Sequence, residues 1–195
     1  MAYVVATKDR GIQFARPETL DLHAIADAAL GGDPIKLRSI GAAGIWGCGG
    51  PIAWMVKLMP DICTSSAQAE YQNYLPCVTT LVYIVNVLRE IRLPISRRIP
   101  LFTDAEAARA TALNPSHHQR TKHYLQKYHF IRQFTDDDDD NEQAFITMER
   151  LPGKFMIVDV ETKITPRSVF ELAVLQICGY GKLSSAETKA LQHRR

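Results

Sequence analysis

Between Arg38 and Lys57 the chain carries no charged side chain, and it places Gly41, Gly44, Gly47, Gly49, Gly50 and Pro51 inside that stretch. The length approaches that of a membrane span, which needs about 20 apolar residues. The Gly49-Gly50-Pro51 punctuation argues against a spanning helix and for two buried strands joined by a tight turn. Strands are therefore expected over 39–47 and 51–57, with no membrane span. Just upstream, Leu20, Leu22, Ala24 and Ala26 alternate with Asp21, His23, Ile25 and Asp27. That period of two predicts a strand over 19–27, with Asp27 at its C-terminal end on the face opposite the leucines. The three strands form a meander.

A helix opens at Ser65. Ser65 and Gln68 match a capping box, and Tyr71, Leu75, Val78, Leu81, Val82, Val85 and Leu88 keep helical spacing. Pro76 sits inside this pattern and predicts a kink, because proline lacks the N–H a helix interior needs. Pro94 and Pro100 bracket the basic loop Ser96-Arg97-Arg98, which leads into a short strand, Ile99–Thr103. A helix from Asp104 to Leu113 stops before Asn114-Pro115. Another covers Thr121–Phe134, with Tyr124, Tyr128 and Ile131 as its buried stripe. Asp136–Asp140 lacks the alternating ligands, central Gly and terminal Glu of a calcium loop, so it reads as a hydrated, self-repelling loop. Ala144–Met148 is expected as a strand, Phe155–Lys163 and Val169–Ile177 as helices, and the tail after Gly179 as mobile. Strands early and helices interleaved later make a mixed α/β domain with one sheet.

At 195 residues the chain is long enough for one domain with its own core. Lys and Arg number 23 against 21 Asp and Glu, a balance that announces no polyanionic partner by itself. Cys48, Cys63, Cys77 and Cys178 show neither a CxxC pair nor zinc-type spacing, which fits buried thiols in a reducing compartment. The N-terminus has no basic segment followed by a long apolar one, so the expectation is an intracellular protein that is not secreted. Trp46 and Trp54 on the uncharged hairpin read as core or sheet-face packing. Cys63 precedes a helix N-terminus, but no Cys/His arrangement accompanies it and no catalysis is assigned to it.

The stretch Asn114-Pro115-Ser116-His117-His118-Gln119-Arg120-Thr121-Lys122-His123, followed by Tyr128-His129-Phe130-Ile131-Arg132, carries the most specific resemblance in the chain. It is similar to the N-P, H-x-R-T-K-H and Y-H-F-I-R segments of the ribonuclease H domain of copia-type retrotransposon polyproteins. Gly50-Pro51-Ile52-Ala53-Trp54, Ser65-Ser66-Ala67-Gln68-Ala69-Glu70-Tyr71 and Leu88-Arg89-Glu90 before Leu93-Pro94 support the likeness, which covers about residues 7 to 177. Thr7-Lys8-Asp9-Arg10-Gly11-Ile12-Gln13-Phe14 resembles the linker from reverse transcriptase to ribonuclease H. The division it implies is a linker remnant over 1–18, a ribonuclease H-like domain over 19–178 and a tail over 179–195.

The resemblance implies a ribonuclease H-like fold, a mixed five-stranded sheet flanked by helices, and hydrolysis of the RNA strand of an RNA–DNA hybrid by four carboxylates with two Mg²⁺ ions, Mn²⁺ being possible. Carried over residue by residue, the S-D-A-D aspartate falls on Asp27 and the E-A-E-Y glutamate on Glu70. The Y-C-D-N aspartate falls on Asp104 and the A-D-I-L-T-K aspartate on Asp159. Strand or helix ends carry all four, and hard oxygen donors without His or Cys suit Mg²⁺ or Mn²⁺ over zinc. Phosphate contacts are expected from His118, Arg120 and Lys122, which precede a helix, and from Lys36 and Arg38 in the early hairpin, where 2′-hydroxyls can be sensed. The plain alternative for the basic residues over 104–135 is a solvated polar face.

Departures from the family pattern keep a second reading open. The Asn after the third acid is Ala105, S-D-A-D-W has become Ala26-Asp27-Ala28-Ala29-Leu30, and D-T-R-R-S-T-S-G has become Ile35-Lys36-Leu37-Arg38-Ser39-Ile40-Gly41. That reading is a catalytically inactive, domesticated domain that serves as a binding or structural subunit of a larger assembly.

Overall fold

The computed structural model describes residues 5, 7–15, 20–113, 125–135, 141 and 143–180. Its strands are β1 (His23–Ala29), β2 (Ile40–Gly47), β3 (Gly50–Leu58), β4 (Ile99–Thr103) and β5 (Ile146–Arg150). The helices are α1 (Ser66–Glu90), α2 (Glu106–Leu113), α3 (Leu125–Thr135), α4 (Asp159–Thr162) and α5 (Arg167–Ile177), with a 3₁₀ turn at Gly153–Phe155. One sheet runs in the order β3-β2-β1-β4-β5. β1–β2 and β2–β3 are antiparallel, whereas β1–β4 and β4–β5 are parallel.

The uncharged stretch is the expected hairpin. Its turn lies at Cys48 and Gly49, whose φ values of 56° and 77° are those of a two-residue turn that matches strand twist. Gly44 leaves room for the Trp46 ring, which a Cβ there would overlap. Trp46 is buried, stacks on His23 with ring centroids 5.7 Å apart, and donates through Nε1 to the Ile177 carbonyl at 3.1 Å. Burial pushes the His23 imidazole down to about 4, so it packs as a neutral ring. Trp54 departs from the core alternative: it is 60% exposed on edge strand β3, where no described element covers its face.

The main core forms where α1 crosses the sheet. Tyr74, Cys77, Val78, Leu81 and Val85 pack on Ala24, Ala26, Ala43, Ile45, Ile99 and Leu101. The alanines of β1 and β2 let the helix approach closely, and the fully buried side chains give the contact its free energy, ~25 cal/mol per Å² of apolar surface. On the opposite face Ile25, Ala42, Trp46 and Phe102 are covered by Met156 and Val158. The cap at Ser65 forms as expected, its hydroxyl accepting from Gln68 N at 3.2 Å, although Gln68 Oε1 accepts from Thr64 N rather than from Ser65 N. α1 runs unbroken through Pro76.

Several boundaries differ from the sequence expectation. β1 starts three residues beyond Leu20, which instead bridges to Ile95, and it continues to Ala29, so Asp27 lies inside the strand and not at its end. The expected helix over Phe155–Lys163 is a 3₁₀ turn and the short α4, because Pro152 and the buried Met156 and Val158 hold the chain flat against the sheet. α2 begins at Glu106, after Thr103 Oγ1 has accepted from Ala105 N at 3.2 Å. Segment 11–15 packs on the domain: Gln13 N donates to Cys178 O at 2.9 Å and Ala15 N to Cys48 O at 2.6 Å. Among the described residues no helix is long and apolar enough to cross a membrane. The Asp136–Asp140 run and the tail beyond residue 180 lie outside the described residues.

Candidate metal centre

Parallel pairing of β1 and β4 aligns Ala24 with Leu101 and Ile25 with Phe102. Continuing that register by two residues sets Asp27 beside Asp104, the first residue after β4. Parallel strands present their C-terminal ends on one side, so both aspartates project at the same sheet edge. α1 begins over this edge and contributes Glu70 from its second turn. Carboxylate oxygens of Asp27, Glu70 and Asp104 all lie within 4.8 Å of one another.

Burial makes this convergence expensive. Asp27 is 1% and Glu70 5% exposed, and Asp104 is half-buried. The Glu70 carboxyl is pushed up to about 8, first by burial and then by the charge of Asp27, against an opposing hydrogen bond from the Ala28 amide. Glu70 Oε2 is buried without a hydrogen-bond partner. Gly153 passes so close that a Cβ there would sit 3.3 Å from Asp104 Oδ2. A buried unpaired oxygen, an all-carboxylate donor set and backbone space over Asp104 fit a hard divalent cation of the Mg²⁺ or Mn²⁺ type.

Asp159 opens α4 on the other side of Asp27. Burial, and then the charge of Asp27, raise it to about 6, while Lys163 acts in the opposite direction. Two residues that sequence reasoning did not single out complete this side. Thr162 Oγ1 donates to Asp27 Oδ2 at 2.5 Å, and Lys163 Nζ lies 3.3 Å from Asp27 Oδ2 and 3.0 Å from Asp159 Oδ1. Partial burial works against the Lys163 charge, but Asp159 and Asp27 outweigh it and hold the ammonium above its usual range. Asp27 is thus shared: Glu70 and Asp104 converge on it from one side, and Asp159 meets it on the other, both directly and across the Lys163 ammonium. Two signals could have flagged the lysine: its spacing of four from Asp159, and the T-K that ends the A-D-I-L-T-K segment, which falls on Thr162 and Lys163.

Among the residues expected to meet phosphates, Lys36 is exposed and Arg38 half-buried in the β1–β2 connection. Asp33 organises that turn, accepting from Leu37 N at 2.9 Å and donating through its own N–H to Arg38 O at 3.0 Å. His118, Arg120 and Lys122 lie outside the described residues.

The strand order and the carboxylates gathered where β1, β4 and α1 meet define a ribonuclease H-like architecture. The N-terminal RNase H domain of a Mycobacterium tuberculosis protein, solved as a fusion with maltose-binding protein, matches it with a TM-score of 0.50. The match covers 80% of this chain and 97% of that domain at 14% identity, which establishes the fold. In sequence, the chain is homologous to a segment of copia-type retrotransposon Pol polyproteins from plants. It is 32% identical over 132 residues to the retrovirus-related Pol polyprotein of transposon RE2 from Arabidopsis thaliana and 30% identical to that of RE1, in each case over 68% of this chain. The corresponding polyprotein of transposon TNT 1-94 from Nicotiana tabacum is 29% identical over 151 residues, 77% of this chain. The chain spans 9% of the length of the Arabidopsis relatives and 11% of the tobacco one. No protein-family model matches it.

Proposed function

We propose that the domain is a divalent-metal-dependent endonuclease that hydrolyses the RNA strand of RNA–DNA hybrids. Asp27, Glu70, Asp104 and Asp159 would hold two Mg²⁺ ions, with Mn²⁺ able to replace them. The observation that carries the reading is the meeting of three carboxylates within 4.8 Å while one oxygen of Glu70 stays buried and unpaired. At that spacing, two ionised carboxylates repel by about 3–4 kcal/mol at an effective dielectric constant near 20. A fold that gathers such groups from two strands and a helix is organised around a positive charge.

When bound, divalent cations supply an acidified attacking water and neutralise the charge that develops on the phosphodiester. The protein's own groups do the rest. Thr162 holds one oxygen of Asp27 in place, and Lys163 balances the charge of the Asp27–Asp159 pair. Lys36 and Arg38, together with His118, Arg120 and Lys122, would meet the sugar–phosphate backbone of the hybrid, where 2′-hydroxyls distinguish RNA. The hydrolase unit would correspond to residues 19–178, with 1–18 as linker remnant and 179–195 as tail.

The test is cleavage of a labelled RNA strand annealed to DNA in the presence of Mg²⁺, comparing the parent protein with Asp104→Asn. Internal cuts by the parent and their loss in the variant are expected. A folded parent protein that leaves hybrids intact at high concentration, or a variant that cuts equally well, would overturn the proposal. Ala105, where the family pattern has Asn, favours the second reading, a catalytically inactive binding or structural subunit of a larger protein assembly, which predicts a folded protein that leaves hybrids uncut.

A further inference from the structure

We propose that Asn73 is a positioning residue that sets the spacing between Glu70 and Asp27, and so the divalent affinity of the centre. The inference rests on the metal-nuclease reading. Asn73 follows Glu70 by three residues on α1, and the two therefore share a side of the helix. Its side chain is buried, and Nδ2 donates to the Asp27 carbonyl at 2.9 Å and to the Ala42 carbonyl at 2.7 Å. Asp27 and Ala42 are direct cross-strand partners in the β1–β2 ladder. One helix-borne amide therefore fastens two strands at the very residue whose carboxylate is shared by the whole site.

The sheet is notched to admit it. A Cβ on Gly41 would overlap Asn73 Oδ1, yet the Gly41 backbone is not left-handed, so glycine is needed here for space and not for conformation. Glu70 has little else to fix its place, since its hydrogen bond comes from the Ala28 amide and its second oxygen is unpaired. A change at Asn73 frees the second turn of α1 to move relative to β1, and the three-carboxylate spacing moves with it. Groups that orient metal ligands without touching the ion carry 10–100-fold effects on affinity.

The notch supplies a test that separates positioning from stability. Mn²⁺ binding is followed by titration calorimetry without nucleic acid, and Tm is measured in EDTA, for the parent, Asn73→Ala, and Asn73→Ala combined with Gly41→Ala. Asn73→Ala should lower Tm and weaken Mn²⁺ binding about 10–100-fold. In the double variant a methyl group fills the vacated notch while the Asp27 and Ala42 carbonyls still lack their donor, so Tm should recover in part while the affinity stays low. Recovery of affinity together with Tm, or unchanged affinity in Asn73→Ala, would reduce Asn73 to a packing residue and overturn the proposal. A parent protein that binds no Mn²⁺ would instead refute the metal reading beneath it. Should the double variant fail to fold, the Asn73 side-chain amide resonances of the parent decide. They should shift on Mg²⁺ saturation, and an unmoved signal beside a shifted Asp27 amide counts against the proposal.

Discussion

Glu70 makes the stability of this domain depend on pH and on divalent cations together. Its carboxyl is raised from 4.5 to about 8, chiefly by burial and then by Asp27. A raised value in the folded state means that folding prefers the protonated form. The associated stability is complete below about pH 4.5, falls as pH climbs, and is gone above about pH 8. At about 1.4 kcal/mol per pH unit the loss is on the order of 5 kcal/mol, a large part of the 5–15 kcal/mol that holds a typical domain together. Glu70→Gln keeps the shape and removes the charge. In EDTA, the parent protein should lose roughly 10 °C or more of Tm between pH 5 and pH 8.5. The glutamine variant should lose much less, since the raised Asp159 and Glu161 tilt its curve the same way but less, and His23, held down to about 4, tilts it the opposite way between pH 5 and 6.5. Near pH 5 the two proteins should melt close together; at pH 8.5 the variant should be the more stable. Adding Mg²⁺ at pH 8.5 should restore the parent and leave the variant almost unmoved. Thermal melts followed by circular dichroism give all four curves. A parent Tm that is flat from pH 5 to 8.5 in EDTA, or a variant no more stable than the parent at pH 8.5, would refute the argument that a buried, mutually repelling carboxylate cluster exists at the sheet edge.

Three further outcomes follow from the same geometry. Lys163→Met should move the Asp159 titration upward from about 6, read by carboxyl-detected NMR, because its ammonium is what opposes burial and the Asp27 charge there; an unmoved midpoint would refute that pairing. Gly153→Val should weaken Mn²⁺ binding with little change in Tm, since a side chain there meets Asp104 Oδ2 and not the core; wild-type affinity would show that the space over Asp104 is unused. Leu81→Ala, at a fully buried position of α1 against the sheet, should cost about 2–5 kcal/mol in urea denaturation, and a loss below 1 kcal/mol would contradict the tight α1–sheet packing.

The elements that periodicity marks most strongly were the legible ones. Alternation around Leu20–Asp27 and the glycine-punctuated stretch pointed to β1, β2 and β3, and the 3.6-residue spacing after Ser65 pointed to α1. Their ends were less visible because Leu20 pairs with distant Ile95 instead of extending β1, a tertiary contact that no local pattern encodes. The same limit explains residues 155–163, where apolar spacing mimics a helix but Met156 and Val158 are pulled onto the sheet individually. In the site, the acids Asp27, Glu70 and Asp104 were found by resemblance, and their convergence follows from the β1–β4 register. Lys163, Thr162 and Asn73 escaped notice because the Asp27 that each reaches lies more than 40 residues away in sequence, a partner that only the fold supplies.

Far from the acids, three distant pieces of chain are laced together. Gln13 holds Cys178, Ala15 holds Cys48, and the Trp46 indole holds Ile177. α5 hangs from this lacing, and α4, which opens at Asp159 and is followed directly by Lys163, precedes it by only a few residues. Where a recombinant fragment is made to begin is therefore not neutral for chemistry at the opposite end. A version trimmed to residue 20 would leave the Cys48 and Cys178 carbonyls without those donors, and slack introduced at the hairpin would reach the aspartate–lysine pair through a single helix.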